Sequence, residues 1–285
     1  MVKRKSKKQS LSWRAVKALA RGTWTAAKFT GRQIKRAAQW TGHSVAQKVR
    51  EKKKLKELKK NPTYSAQSKS SELKVIKTIT GNEETFKDQL ESSSKIILLF
   101  GKRGSGKSAL GFRLMENMNA NESRHCYVLG VSQDVLPQWI TSVEDIQEVK
   151  NGGVVLVDEG ALSFSSRESM NKEHKQLGKL MAIARHKDLT LIFITQNTGM
   201  IDKNVLQLTD TLLMKEGSLL QMEMERTAVQ KFYKKAEDAF KDVNDKRKYV
   251  YVIDGDFEGV VESSLPSFWS DKVSKSHAKN SEKKE

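Results

Sequence analysis

Residues 101–108 have the sequence GKRGSGKS, and the types and spacing of these residues are those of a phosphate-binding loop. The three glycines allow backbone conformations in which successive N–H groups point towards phosphate oxygens. We expect the Lys107 ammonium to contact the β- and γ-phosphates of a nucleotide and the Ser108 hydroxyl to bind Mg²⁺. The predicted phosphate-binding residues are Gly101, Lys102, Arg103, Gly104, Ser105, Gly106, Lys107 and Ser108.

Two carboxylates follow an apolar run further along the chain. Asp158 and Glu159 come directly after residues 154–157, VVLV, which have the composition of a buried strand. In phosphoryl transfer, a carboxylate at a strand end binds Mg²⁺ directly or through water, and we assign that role to Asp158. A second carboxylate can accept a proton from attacking water, and we assign this general-base role to Glu159. The adjacent pair favours transfer to water over transfer to an alcohol.

A third polar side chain, Gln196, follows another apolar run, LTLIFIT at residues 189–195. If this strand lies beside the one that ends at Asp158, the amide of Gln196 can contact the γ-phosphate or the attacking water. The alternative is that Gln196 only caps a turn at the end of its strand. The residues themselves leave both interpretations open.

The elements that must position these residues alternate between strands and helices. A buried strand at residues 96–100 precedes the phosphate loop and a helix at 108–119 follows it, as a phosphate site requires. The pattern predicts an α/β fold with a mostly parallel sheet and a ligand beyond the carboxyl ends of its strands. Further strands are predicted at residues 73–79, 125–131, 154–157, 189–195, 211–215, 219–225, 249–253 and 257–261, and helices at 83–90, 143–149, 170–185 and 226–245.

Composition narrows the class of protein. Only 37% of the 285 residues are hydrophobic, so we expect part of the chain to lie outside any packed core. Cys126 is the only cysteine, which excludes an intrachain disulfide and fits a reducing compartment. The five histidines have no metal-ligand spacing, and no apolar run suits a transmembrane helix or a secretory signal. We therefore expect a cytoplasmic protein without a structural metal.

The net charge of +18 is concentrated at one end of the chain. Residues 1–60 contain 20 Lys and Arg and two Glu, a net charge of +18, whereas the remaining residues are neutral overall. Apolar residues, among them Trp13 and Trp24, recur at steps of three or four over residues 11–49, which predicts a basic amphipathic helix. Such an arm can lie on an anionic membrane, bind the phosphate backbone of nucleic acid, or pack against protein. These three alternatives stay open.

The strand-end sequences GKRGSGKS, VVLVDE and LIFITQN, in this order, resemble the branch of P-loop ATPases that has an additional strand, a catalytic glutamate and a RecA-like core. The stretch ARHKDLTLIFITQNTGMIDKNVLQLTDTLL is similar to the FtsK/HerA superfamily, in which an Arg precedes a strand ending in Thr-Gln. It is also similar to the Zot-like morphogenesis ATPases of filamentous phages and to viral genome-packaging ATPases. The stretch LPSFWSDKVSKS, near the C-terminus of this chain, resembles the ending of such viral ATPases. The resemblance covers residues 73–275 and does not include the basic arm.

This resemblance implies binding of ATP and Mg²⁺, and ATP hydrolysis coupled to movement of double-stranded DNA. It also implies a ring, usually a hexamer, with sites between neighbouring subunits. An arginine of one subunit would then stabilise charge on the γ-phosphate in the next. Arg185 matches the family position, and Arg167 and Arg226 are alternatives. The lysines available to line a pore, or else to form a solvated helix face, are those of the linker together with Lys172, Lys175 and Lys179.

Three domains or segments follow from these patterns. Asn61-Pro62 ends any helix and a Ser-rich stretch continues beyond it, so residues 1–70 are predicted to be the basic helical arm and a linker. Residues 71–275 are the predicted P-loop ATPase domain. Residues 276–285 are a polar tail.

The function that we favour from the sequence is that of a DNA-translocating ATPase that packages a viral genome in the cytoplasm of a host cell. Residues 1–60 would contact DNA, a membrane surface or the capsid. Alternatives are a membrane-associated virion assembly or secretion ATPase of the Zot type and an ATPase of conjugative DNA transfer. A third class is a switch or scaffold that binds ATP without turnover. Glu159 disfavours that class because a switch has less need of a general base.

Overall fold

Short apolar runs form the centre of one sheet in the computed structural model, which describes residues 62–158, 161, 170–197, 199, 201–218, 223 and 227–274. None of the helices in these ranges is long and apolar enough to cross a membrane. The strands are β1 (Lys74–Gly81), β2 (Ile96–Phe100), β3 (Cys126–Leu129), β4 (Ile140–Val143), β5 (Val154–Asp158), β6 (Thr190–Thr195), β7 (Thr211–Met214), β8 (Tyr249–Asp254) and β9 (Phe257–Glu262). The helices are α1 (Pro62–Ser65), α2 (Glu83–Ser92), α3 (Lys107–Glu122), α4 (Met170–His186), α5 (Lys203–Leu208) and α6 (Thr227–Ala239).

The order of strands across the sheet is β1-β9-β8-β7-β2-β6-β5-β3-β4. All neighbours from β7 to β4 pair in parallel, and β8, β9 and β1 extend the sheet with antiparallel strands on the other side of β7. The fold is therefore that of an α/β P-loop NTPase, with a RecA-like, mostly parallel sheet flanked by helices, as predicted. The position of β6 between β2 and β5 confirms the additional strand between the phosphate-loop strand and the carboxylate strand.

The central strands are buried on both faces, which explains why their sequences are continuous apolar runs instead of alternating ones. Successive side chains of a strand point to opposite faces. In β2, Ile96, Leu98 and Phe100 accordingly pack in one core, and Ile97 and Leu99 pack in the other. Residues of α4 and α6 complete the first core, and residues of α2 and α3 complete the second.

Two of the predicted elements are not formed as expected, both next to short strands. Residues 143–149 were predicted to be a helix, but β4 and a 3-10 turn, Ile146–Glu148, occupy this part of the chain. The four residues of β4 are too few to show the alternation of apolar and polar residues that identifies a strand in a sequence. The predicted strands 211–215 and 219–225 were expected to form a hairpin, but β7 pairs with β2 on one side and with β8 on the other, which leaves no edge of β7 for such a partner. Residues 219–222 and 224–226 themselves lie outside the described residues.

Residues 62–71, which were predicted to be a linker, contact the sheet-and-helix unit. The backbone N–H of Lys69 donates to Oε1 of Glu116 at 3.1 Å, and that of Ser71 donates to Oδ1 of Asn117 at 3.0 Å. Glu116 is fully buried and pairs with the guanidinium of Arg113 at 2.9 Å, so α3 anchors this segment through buried polar groups. The boundary near Ser70 stays a prediction. The arm (residues 1–60) and the tail (residues 276–285) lie outside the described residues.

Candidate nucleotide-binding site

The phosphate loop, residues 101–108, joins the carboxyl end of β2 to the first turn of α3. Its backbone departs from the conformations that most residues adopt, since φ is +76° at Gly104 and +89° at Gly106. A larger residue would be strained at these angles, so both positions favour glycine. Gly106 is the N-cap of α3, whose first residue is Lys107. The backbone N–H groups at the start of this helix therefore point towards the loop, where an anion can bind.

Lys107 and Ser105 carry polar groups inside the loop. The ammonium of the buried Lys107 donates hydrogen bonds to the carbonyl oxygens of Gly101 and Lys102, at 2.9 Å each. The Ser105 hydroxyl is fully buried and has no hydrogen-bond partner among the described residues. A buried polar group without a partner costs free energy, and a phosphate oxygen would satisfy it. The loop therefore fits the phosphate chain of a nucleotide.

Two further predicted residues lie at the same edge of the sheet as the loop. β2 and β6 end in register, with Phe100 opposite Thr195, so Gln196 follows directly beside the loop. Asp158, the last residue of β5, is opposite Ile194. The Gln196 side chain is exposed and that of Asp158 is half-buried. The carboxyl ends of three neighbouring strands thus bring the loop, the amide and the carboxylate together.

The oxygen donors at this edge fit a magnesium ion. Asp158 supplies a carboxylate and Ser108, in the first turn of α3, supplies a hydroxyl. Mg²⁺ prefers oxygen ligands and is usually held by one or two protein groups together with water and substrate phosphates. These two residues would therefore hold it, and the ion would neutralise charge on the phosphates. Glu159 lies outside the described residues, so its role stays a prediction.

Arg185 lies at the opposite end of the parallel strands, where β2 begins. It is near the end of α4, donates to the carbonyl oxygen of Leu208 at 2.9 Å, and pairs with Asp210 at 3.3 Å. Asp210 in turn accepts a hydrogen bond from the N–H of Ile96, the first residue of β2. The length of β2, roughly 15 Å, separates this end from the phosphate loop. Arg185 is therefore remote from the loop of its own subunit, and the alternatives Arg167 and Arg226 lie outside the described residues.

Lys215 is a residue of this site that the sequence analysis did not identify. It follows β7 and is only 2% exposed, and its ammonium donates to the carbonyl oxygens of Arg247 at 2.5 Å and Tyr249 at 2.8 Å. A Cβ atom at Gly101 would lie 2.9 Å from the Cβ of Lys215, so glycine permits this close contact. Burial lowers the pKa of Lys215 to about 8. The sequence signal was a lysine that directly follows an apolar strand.

The phosphate loop is also tied to the residue that follows Lys215. The N–H of Lys102 donates to the carbonyl oxygen of Glu216 at 2.8 Å. The side chains of the same two residues form an ion pair at 2.7 Å. Both side chains are partly exposed, so the ion pair is worth little by itself. Together with the packing of Gly101 on Lys215, these contacts fix the loop against the end of β7.

The family described as "Protein of unknown function (DUF815)" matches residues 38–216, which is more than half of the chain. The chain belongs to this family. The description of the family states no activity, and no curated protein matches the chain in sequence.

Several solved structures resemble the chain at low sequence identity. B204, the DNA-packaging ATPase from Sulfolobus turreted icosahedral virus, is 13% identical, with a TM-score of 0.43 over 61% of this chain and 99% of B204. EssC (ATPases 2 and 3) from Geobacillus thermodenitrificans is 15% identical, with a TM-score of 0.39 over 77% of this chain and 50% of that one. TcpA, the conjugation coupling protein of pCW3, is 14% identical, with a TM-score of 0.42 over 78% of this chain and 75% of TcpA.

Proposed function

We propose that this protein binds ATP with Mg²⁺ and hydrolyses it to ADP and phosphate. The observation that supports this function best is the meeting of three groups at one edge of the sheet. These are the phosphate loop with the buried Lys107, the carboxylate of Asp158 and the amide of Gln196. A phosphoryl-transfer site needs a cradle for the phosphates, a metal-binding carboxylate and a polar group near the attacking water.

In the proposed reaction, water attacks the γ-phosphorus while the bond from this phosphorus to the β–γ bridging oxygen breaks. Glu159 takes the proton of the attacking water, and Gln196 orients that water by hydrogen bonding. The Lys107 ammonium and the N–H groups at the start of α3 stabilise the negative charge that develops on the phosphates. The electron pair of the broken bond stays on ADP, and the γ-phosphoryl group leaves as inorganic phosphate.

We further propose that hydrolysis is coupled to movement of double-stranded DNA, with viral genome packaging as the leading case. The charge distribution supports this, since residues 1–60 carry a net charge of +18 and the rest of the chain is neutral. The amphipathic pattern and tryptophans of this arm favour a second candidate, a membrane-associated virion assembly ATPase. In a ring of subunits, Arg185 would serve the site of a neighbour, because it lies at the edge of the sheet away from its own loop.

The test is ATP binding and steady-state hydrolysis, with and without double-stranded DNA, by the wild type and two variants. Lys107→Ala should lose ATP binding, because it removes the cation inside the loop. Glu159→Gln should keep ATP binding and lose about 10²–10⁴-fold in turnover, as expected for removal of a general base. Lys87→Ala is the matched control, since this lysine pairs on the surface with Glu72 and Glu83 and should not affect either measurement.

Turnover retained by Lys107→Ala would contradict the phosphate site, and turnover retained by Glu159→Gln would contradict the assigned base. Stimulation of the wild type by DNA would support a translocase. If the rate of ATP hydrolysis is unchanged by DNA but rises with anionic vesicles, the result would support the assembly ATPase instead.

A further inference from the structure

The groups proposed to act at the γ-phosphate all lie on one side of the phosphate-loop strand. Asp158 ends β5 and Gln196 follows β6, and both strands lie on the same side of β2 in the sheet. The triphosphate of a nucleotide is a linear chain. When its γ end points towards β6 and β5, its nucleoside end must leave the loop on the side of β7 and β8.

Besides Lys215 and Glu216, a second segment borders the phosphate loop on that side. Residues 245–249 contain the 3-10 turn Lys246–Lys248 and lead into β8, which pairs antiparallel with β7. Because the two strands are antiparallel, the start of β8 lies at the carboxyl edge of β7, level with the loop. A Cβ atom at Gly106 would lie 3.5 Å from the carbonyl oxygen of Arg247. The 245–249 segment is therefore in contact range of the loop.

The buried ammonium of Lys215 holds this segment in place. Its two hydrogen bonds go to the carbonyl oxygens of Arg247 and Tyr249, one before and one after the last residue of the turn. The same ammonium would lie 3.9 Å from a Cβ atom at Gly106. Burying a cation is costly, and an apolar side chain would fill the space at no such cost. What the ammonium provides is a fixed distance between the segment and the loop.

The side chains of the segment suit a nucleoside. The side chain of Arg247 is 73% exposed, and its guanidinium is oriented by Asp245, whose Oδ1 accepts a hydrogen bond from Nε at 3.2 Å. A guanidinium is planar, so it can stack on a base, and its N–H groups can donate to base or ribose oxygens. We propose, on the basis of the proposed ATPase function, that residues 245–249 form the nucleoside subsite, with Arg247 contacting the nucleoside and Lys215 as a positioning residue.

Binding of ATP and of inorganic tripolyphosphate, both with Mg²⁺, separates the two halves of the site. Tripolyphosphate has the phosphates of ATP but no base or ribose. Arg247→Ala in the full chain should weaken ATP binding about tenfold and leave tripolyphosphate binding within about twofold. Lys215→Met should also weaken ATP more than tripolyphosphate, whereas a general loosening of the site would weaken both equally. Lys241→Ala, an exposed lysine near the end of α6, is the control and should change neither.

An unchanged ratio of the two affinities in Arg247→Ala would overturn the subsite. If Lys215→Met does not fold by circular dichroism, Arg247→Ala alone decides. Failure of the ATPase proposal gives a different result. In that case the wild type binds neither ligand, or Lys107→Ala binds both as well as the wild type does.

Discussion

The buried ammonium of Lys215 has a consequence for stability at the scale of a single residue. Burial disfavours its charged form and lowers the pKa to about 8, while the carboxylate of Asp245 acts in the opposite direction. In the unfolded chain the pKa of a lysine is about 10.4. The other charged groups on the phosphate loop, the residue after Lys215 and the 245–249 segment are Lys102, Arg103, Lys107, Glu216, Lys246, Arg247 and Lys248.

We predict that Lys215 makes the free energy of unfolding depend on pH in the alkaline range. Between about pH 8 and pH 10.4 the unfolded state binds more protons at this residue than the folded state. The contribution of Lys215 to stability should therefore rise with pH in this window, by at most about 1.4 kcal/mol per pH unit. Urea denaturation at pH 7.5, 8.5 and 9.5 measures it. Lys215→Met should lack this rise, and identical pH profiles of the two proteins would contradict the prediction.

The residues of the site were predictable to different degrees. The position of the phosphate loop, Asp158 and Gln196 at one edge of the sheet was predictable, because each directly follows an apolar strand and parallel strands bring their carboxyl ends together. The contact between Lys215 and Arg247 was not predicted, because it joins the residue after β7 to the turn before β8, 32 residues further along the chain. No local pattern distinguishes a buried lysine of this kind from one that merely ends a strand.

At the scale of elements, the packing of α3 on the sheet positions Lys107 and Ser108. Gly111 of this helix faces side chains of β5 and β6 at close range. A Cβ atom there would lie 2.8 Å from Cδ1 of Leu156 and 3.0 Å from Cδ1 of Ile194. This distance leaves no room for a side chain unless the helix or both core residues move.

Gly111→Val should therefore destabilise the protein by about 1–3 kcal/mol, the range typical of overpacked cores. Gly178→Val, in α4, is the matched control, since nothing lies within 4 Å of a Cβ atom at Gly178. Valine and glycine differ little in helix propensity, so the control should stay within about 0.5 kcal/mol of the wild type. Urea denaturation measures both, and equal effects at the two glycines would show that the close approach is not a constraint.

Strands and helices with long apolar patterns were predicted to within a few residues, for example β2, β6 and α4. The errors fell on β4, which is too short to show a pattern, and on the partner of β7. Residues 219–225 resemble a strand locally, but the edge of β7 that they would need is taken by β8. Which of two segments pairs with a strand is decided by tertiary packing, and a local sequence pattern carries no information about that packing.

At the scale of the whole molecule, charge is divided unequally between the arm and the rest of the chain. Residues 1–60 hold the entire net charge of +18. Each phosphate that a basic group neutralises makes DNA binding weaker as salt rises, because bound counterions are released. The arm can therefore be tested as a DNA-binding element through salt dependence.

We predict that the full chain loses about 10³-fold or more in affinity for double-stranded DNA between 50 and 200 mM salt, as for six or more phosphate contacts. A variant without residues 1–60 keeps the anchored residues 62–71, and its affinity should be lower and its salt dependence flatter. ATP hydrolysis without DNA should be the same in both and serves as the control for folding. If the DNA affinity of the two proteins depends equally on salt, the arm does not contribute phosphate contacts to DNA binding.

The pairing of β1 with β9 determines when the fold can be completed during synthesis. β1 is an edge strand whose hydrogen-bonded partner in the sheet is β9, and Phe86 of α2 stacks on Phe257 at 4.7 Å. At 5–20 residues per second, the ribosome needs roughly 10–40 s for the 180 or so residues between these strands. In a nascent chain, β1 thus stays unpaired until β9 has been translated. Chains interrupted before β9 would expose that strand and Phe86, as chaperone substrates do.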